Sequence, residues 1–370
     1  MPVPLLDLRA QYATIRDDVV RAMMKVVEDQ LFILGAPVEQ LEAALAALCH
    51  TKFAIGCANG SDALILALRA LDIGRGDEVV TTPFTFFATG GTVHNVGAKP
   101  VFADIEPRTF NLDPAAASAA VTARTKAMIP VDLFGQLAPL ECYRRLHPSL
   151  PLLEDAAQAI GARRRIDGEW VRAGERATIG TFSFFPSKNL GGYGDGGMLV
   201  TQDENLAARL RRLRTHGATT TYFHDEVGYN SRLDALQAAV LLAKLPHLER
   251  WSAARREHAA YYDRAFDGVG DIVTPWVDPN NESIYNQYTI RVPRRDQLQA
   301  HLKSKGIGNA IYYPLPLHLQ KCFAYLGYRE GSCPESERAA REVISLPVYP
   351  ELTRAQQDEV IEAIRGFFGR

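Results

Sequence analysis

Between residues 50 and 200, short apolar runs alternate with stretches of helical periodicity. Runs at 53–57, 78–81 and 101–104 have strand length, and a helical pattern at 63–71 lies between the first two. Further runs at 127–131, 151–153, 179–185 and 198–200 complete seven predicted strands. Alternation of this kind predicts an α/β fold with a mixed seven-stranded sheet and helices on both faces. A long helical stretch at 233–256, broken at Pro246, can bridge two domains, so the division is placed there: a large domain at 1–245 and a small one at 246–370. The small domain reads as α+β, with a strand at 288–292, a helix at 296–305, a strand near 311–313 and a closing helix at 354–368.

Composition narrows the chemistry. The chain has 370 residues, 47% hydrophobic and 23% charged, enough to bury a large core. A net charge of −2 with both signs interspersed gives no footprint for nucleic acid or an anionic membrane, which leaves small-molecule chemistry. The start MPVPLLDLRA lacks the basic and apolar pattern of a signal peptide, and no run reaches the ~20 apolar residues of a membrane span. A cytoplasmic protein is the expectation. The five cysteines (Cys49, Cys57, Cys142, Cys322, Cys333) are scattered and never at C-x-x-C spacing, and no H-E-x-x-H occurs, so neither a disulfide framework nor a metal site is predicted.

Four segments carry candidate chemistry. In GTFSFFPSKNLGGYGDGG (residues 180–197) an aromatic strand ends at Pro186 and a single lysine, Lys188, precedes a glycine-rich loop. Desolvation disfavours the ammonium form, and a neutral amine is what Schiff-base chemistry requires. Lys188 is therefore the candidate nucleophile, set against the plainer reading of a solvated loop lysine. Gly192, Gly194 and Gly197 formally match G-x-G-x-x-G, but they lead into a strand and not a helix, which excludes a dinucleotide site. In LLEDAAQAIGA a buried strand ends at Asp155, with Gln158 three residues on, where ligands of parallel sheets sit. A carboxylate there holds a heterocyclic nitrogen protonated, an attraction of about 4 kcal/mol at ~4 Å and an effective dielectric of ~20. Its alternative role is to cap the next helix.

ANGSDAL places Gly60 and Ser61 at a helix start, where free N–H groups bind an anion. Plain N-capping by Ser61 or Asn59 explains the same residues. Ser183 shares a strand face with Thr181 and offers a further hydroxyl, while Phe182 and Phe184 face the other way. TTPFTFFATG ends a strand with three phenylalanines, of which Phe86 is the candidate to stack on a planar ring.

In order, ILGAPVEQLEAALA, ANGSDAL, TFFAT, AKPVFADIEP, EDAAQA, SFFPSKNLGGYGDGG, GYNSRLDALQAAVL, YYPLPLH and SLPVYP resemble the DegT-type nucleotide-sugar aminotransferases over nearly the whole chain. These are enzymes dependent on pyridoxal 5′-phosphate (PLP), of fold type I, the aspartate aminotransferase-like fold. The resemblance implies Lys188 as covalent anchor and proton carrier, Asp155 on the pyridine nitrogen and Gln158 near the ring's 3-oxygen. It also implies Phe86 on the ring, with Gly60, Ser61 and Ser183 on the phosphate. It further implies a homodimer with shared active sites, in which Asn230 reaches the partner's phosphate. Arg232 meets the substrate's anionic groups or pairs with a local acid such as Asp234, and Tyr312 and His318 of YYPLPLH touch the sugar. Tyr312 departs from the histidine common in relatives.

The implied reaction moves an amino group from L-glutamate to a nucleotide-linked ketosugar, leaving 2-oxoglutarate. The forms FFPSK, GYGDGG, GYNSRLD and SIYNQYTIR look most like enzymes of UDP-2-acetamido-3-keto-hexuronic acid in lipopolysaccharide pathways, with dTDP-3-keto-6-deoxyhexose enzymes next. Lys188 speaks against the sugar dehydratases of this fold, which carry histidine there. A non-catalytic PLP-binding regulator is the alternative from another class.

Overall fold

The computed structural model of the protein describes residues 2–369. Its central sheet has seven strands in the spatial order Phe53–Cys57, Gly197–Thr201, Ile179–Ser183, Leu153–Asp155, Thr125–Ile129, Glu78–Thr81 and Lys99–Phe102. Gly197–Thr201 runs against both neighbours, and the other pairings are parallel. Strands buried on both faces can be apolar throughout, which is why they read as continuous runs. Side chains alternate: Ile55, Ile179 and Leu199 pack under the helix Gly60–Ala70, while Phe182, Phe184, Met198 and Val200 pack with Leu41, Leu45 and Leu241 on the opposite face.

The C-terminal part has a separate core of Tyr262, Phe266, Tyr288, Ile290, Leu298, Leu302, Ile344, Val360 and Ile364. Its strands Tyr288–Arg291 and Val343–Leu346 pair antiparallel, flanked by the helices Arg295–Ser304 and Arg354–Phe367. The strand expected near 311–313 is not formed. Ala310 makes a single bridge to Ser345, and the next residues turn away to bring Tyr312 and Tyr313 against the cluster around Phe84. The pairing strand is Val343–Leu346, which the sequence reading had not assigned.

The expected helical stretch at 233–256 is two helices, Ala235–Lys244 and Leu248–Phe266, with one tight turn at Leu245–His247 around Pro246. The second helix outruns the expectation because the polar run Arg255–His258 hides its continuation. Arg255 is buried there, and its Nη1 donates to the carbonyls of Tyr285, Asn286 and Val348. Leu248 belongs to the core under the large sheet and Tyr262 to the C-terminal core, so this helix joins the two. Among the described residues, no helix is long and apolar enough to cross a membrane, and no His, Cys, Asp or Glu cluster suits a metal ion.

Candidate active site

Strands Leu153–Asp155 and Ile179–Ser183 lie side by side and parallel, with Asp155 opposite Thr181, so their carboxyl ends open on one place. Asp155 is buried. Its Oδ2 accepts from Thr89 Oγ1 at 2.8 Å, Thr89 is bonded in turn to Thr85 Oγ1 at 2.9 Å, and Oδ1 accepts from the Ala157 N–H at 3.3 Å. Burial pushes the Asp155 carboxyl up, and the Thr89 and Ala157 donors, with the charge of Lys188, pull it back. Gln158 is fixed at both ends: Oε1 accepts from the Phe134 N–H at 2.7 Å and Nε2 donates to Tyr313 Oη at 3.1 Å.

Lys188 sits in the turn after Ile179–Ser183, its N–H donating to the Phe185 carbonyl at 2.8 Å. Burial pushes its amine down to about 8, against the opposing pull of Asp155. An amine at that value has a far larger neutral fraction near neutrality than an exposed lysine.

The candidate anion site lies where the helix Gly60–Ala70 meets the end of Ile179–Ser183. Asn59 caps this helix, its Oδ1 accepting from the Asp62 N–H at 2.8 Å. The capping role thus belongs to Asn59, and the Ser61 hydroxyl makes no hydrogen bond among the described residues. A Cβ on Gly60 would lie 2.7 Å from Ser183 Cβ, so only glycine lets helix and strand approach this closely. Gly60 thus lies against Ser183, with Ser61 next to it in the chain. Phe86 stands just before the helix Phe87–Asn95, 58% exposed, with its ring centroid 6.4 Å from that of Tyr313.

The other candidates make no hydrogen bond to this group among the described residues, though Ser231, between Asn230 and Arg232, accepts from the Ala58 N–H at 3.2 Å. Asn230 is exposed on the segment that pairs with Thr215. Arg232 is half-buried and makes no ion pair among the described residues, so the pairing with Asp234 is not formed. Tyr312 is half-buried against Tyr313. His318 is buried at 1% exposure, with Nε2 3.0 Å from Glu337 Oε1, and Glu337 also accepts from the Gly331 and Cys333 N–H groups. Its Nδ1 is buried without a hydrogen-bond partner among the described residues. Sequence reasoning missed Thr85, Thr89 and Tyr313. Thr85 precedes the helix Phe87–Asn95 and Thr89 lies within it, so no helical spacing in the sequence marked the pair.

The donor set fits PLP. A helix N-terminus with a cradle that a Cβ would fill, and a free hydroxyl, suits a phosphate. An anchored buried carboxylate suits a pyridinium, and a desolvated lysine suits an aldehyde.

The model of the DegT/DnrJ/EryC1/StrS aminotransferase family matches residues 13–365. A "Pleiotropic regulatory protein" of Geobacillus stearothermophilus is 52% identical over 100% of this chain and 99% of its own length. The UDP-2-acetamido-2-deoxy-3-oxo-D-glucuronate aminotransferase of Pseudomonas aeruginosa is 44% identical, over 95% of this chain and 97% of that one. The dTDP-3-amino-3,4,6-trideoxy-alpha-D-glucose transaminase of Streptomyces venezuelae is 43% identical, over 98% and 95%. The crystal structure of S. venezuelae DesV superposes with a TM-score of 0.96 at 42% identity, covering 100% of this chain and 99% of that one.

Fold and site together define a PLP-dependent sugar aminotransferase. Within that class, the chain belongs to the DegT/DnrJ/EryC1/StrS aminotransferase family.

Proposed function

We propose that this protein transfers the amino group of L-glutamate to the ketone of UDP-2-acetamido-2-deoxy-3-keto-hexuronic acid, in the synthesis of lipopolysaccharide or another surface polysaccharide. The observation that carries the transfer is the Lys188 amine, pushed down to about 8 beside the buried Asp155. PLP, when bound, supplies an electron sink and carries the amino group between the two substrates. Lys188 holds the cofactor and moves the proton at the substrate carbon. Asp155, drawn toward its ionised form by Thr89, would hold the ring nitrogen protonated, and Gln158 would face the 3-oxygen. Phe86 covers the ring face, while Gly60, Ser61 and Ser183 take the phosphate. Asn230 acts in the partner's site, so the working unit is a homodimer, divided at 245/246 into large and small domains and placed in the cytoplasm.

Two things support the uronic acid. The forms FFPSK, GYGDGG, GYNSRLD and SIYNQYTIR look like those of such enzymes, and Arg232, without an ion-pair partner among the described residues, is available for a substrate anion. The second reading, a dTDP-3-keto-6-deoxyhexose, is favoured by the shared NSRLD segment and the 43% identical transaminase. The name of the 52% identical relative raises a regulatory role. A regulator has no need of a desolvated lysine, an anchored carboxylate and a phosphate cradle in one place, which favours catalysis.

The test is amine transfer from glutamate to a panel of UDP- and dTDP-linked 3-keto and 4-keto sugars, with product mass and stereochemistry determined. Preference for the UDP-3-keto-uronate supports the proposal, and turnover of the dTDP sugars alone replaces it with the second reading. Borohydride reduction followed by peptide mapping places pyridoxyl on Lys188. Modification elsewhere, or none, overturns the cofactor assignment.

A further inference from the structure

The helix Ala235–Lys244 packs its apolar side chains into the core under the large sheet, yet two of its polar side chains turn toward the glycine-rich segment. Gln237 and Lys244 are seven positions apart, close to two turns, and so share a face. Gln237 Oε1 accepts from the Tyr193 N–H at 2.8 Å. Gly192 and Gly194 lie against the same amide: a Cβ on them would come within 2.8 Å of Oε1 and 2.9 Å of Nε2. Lys244 Nζ donates to the Gly191 carbonyl at 2.6 Å and stands 4.7 Å from the Tyr193 ring centroid.

Lys244 is 1% exposed and makes no ion pair among the described residues. Burial pushes its amine down to about 8, with Glu351 opposing. Placing an amine there costs desolvation that a methionine or leucine would avoid, so what the amine contributes is its bond to the Gly191 carbonyl. Gly191 closes a tight turn. A Cβ on it would lie 2.3 Å from the Pro186 carbonyl oxygen, and the Lys188 and Gly192 N–H groups bond back to Phe185 and Phe184 at 2.8 Å each. Lys188 rides on this turn, and the helix grips its far end at two points.

We propose that Gln237 and Lys244 are positioning residues that hold the Lys188 turn from behind, so that its amine is delivered to the aldehyde of PLP. The inference rests on the cofactor reading above. Pyridoxamine phosphate separates the two, because it has no aldehyde and its binding does not depend on where the Lys188 amine points.

The experiment titrates PLP and pyridoxamine phosphate into the full-length wild-type protein, Lys244→Met and Gln237→Met, and follows the rate of borohydride trapping at Lys188. Apparent PLP affinity and trapping rate should each fall at least tenfold in Lys244→Met, with pyridoxamine phosphate affinity within twofold of wild type. Gln237→Met should show the same split and decides the matter if Lys244→Met does not fold. Unchanged PLP binding overturns the proposal, as does a parallel loss of both vitamers, which marks general damage to the site. Failure of the wild-type protein to trap PLP at Lys188 counts against the cofactor reading instead.

Discussion

Thr89 is the main brake on the upward shift of the buried Asp155 carboxyl. Burial favours the neutral form of Asp155, and the hydroxyl donated at 2.8 Å is the largest force on it in the other direction. A hydrogen bond to a charged group contributes about 1.5–3 kcal/mol, so removing it shifts the carboxyl by about one pH unit or more. Thr89→Val should therefore raise the Asp155 pKa and move the acid limb of the pH–kcat profile upward by about one unit, while Thr89→Ser leaves it in place. An unmoved acid limb would remove Thr89 from the site. Lys188 was legible in the sequence because it is the lone lysine of an aromatic and glycine-rich segment. Thr89 was not, since a threonine inside a helix carries no mark of what it faces. Nor could the sequence show that His318 is enclosed, because its partner Glu337 lies 19 residues away and is itself held by the Gly331 and Cys333 N–H groups.

Secondary elements fix how closely the groups of the site approach one another, and the junction of the helix Gly60–Ala70 with the strand Ile179–Ser183 is the tightest point. The Cβ of an alanine at 60 would meet Ser183 Cβ at 2.7 Å, and neither atom is the end of a flexible chain. Overpacking of this kind costs about 1–3 kcal/mol. Gly60→Ala should weaken PLP binding about tenfold by equilibrium dialysis and lower the melting temperature. The seven sheet strands were read as apolar runs, but those expected at 101–104 and 127–131 lie two residues earlier, at Lys99–Phe102 and Thr125–Ile129. Their first residues are polar or proline, so hydrogen bonding begins before the apolar run does.

The strand Leu153–Asp155 serves two faces, because Glu154 points away from Asp155 toward Asp132. Asp132 Oδ2 and Glu154 Oε1 are buried with no hydrogen-bond partner among the described residues, and a proton shared between them would satisfy both. Desolvation raises both carboxyls, Glu154 from 4.5 to about 7 and Asp132 well above its ordinary value. At pH below the unfolded values both states are protonated and the pair is neutral in its effect. As pH rises, the unfolded chain releases its protons while the fold retains them. Stability then falls by about 1.4 kcal/mol per unit for each proton retained, for Glu154 over the window from 4.5 to about 7. In Asp132→Asn an amide N–H takes the place of the shared proton. Urea unfolding of that variant between pH 5 and 8 should decline with a slope smaller by about one proton, and identical slopes would show that no proton is shared.

At the scale of the whole molecule, the surface left over by a single chain points to a second copy. Leu31, Phe32 and Ile33 are exposed just beyond the helix Leu8–Asp29, and Phe32 and Ile33 are tied to the segment that follows Asn230. Ile33 bridges Asp234, and the Phe32 carbonyl accepts from the Ala235 N–H at 3.0 Å. An apolar patch joined to two polar side chains without partners among the described residues has the composition of an interface whose polar groups are completed from the other side. In the proposed homodimer, two-fold symmetry would send Asn230 of each copy to the other's site. Subunits carrying Asn230→Ala would then be inactive through the partner they serve, whereas Lys188→Ala subunits would be inactive in their own site. A mixed dimer therefore has one site lacking both groups and one site with both intact. Random mixing of the two inactive variants should restore about a quarter of the wild-type sites, read as glutamate-dependent turnover. If each site used its own Asn230, every site in every mixture would be damaged. Absence of recovery with heterodimers confirmed by native mass spectrometry would then show that each subunit works alone.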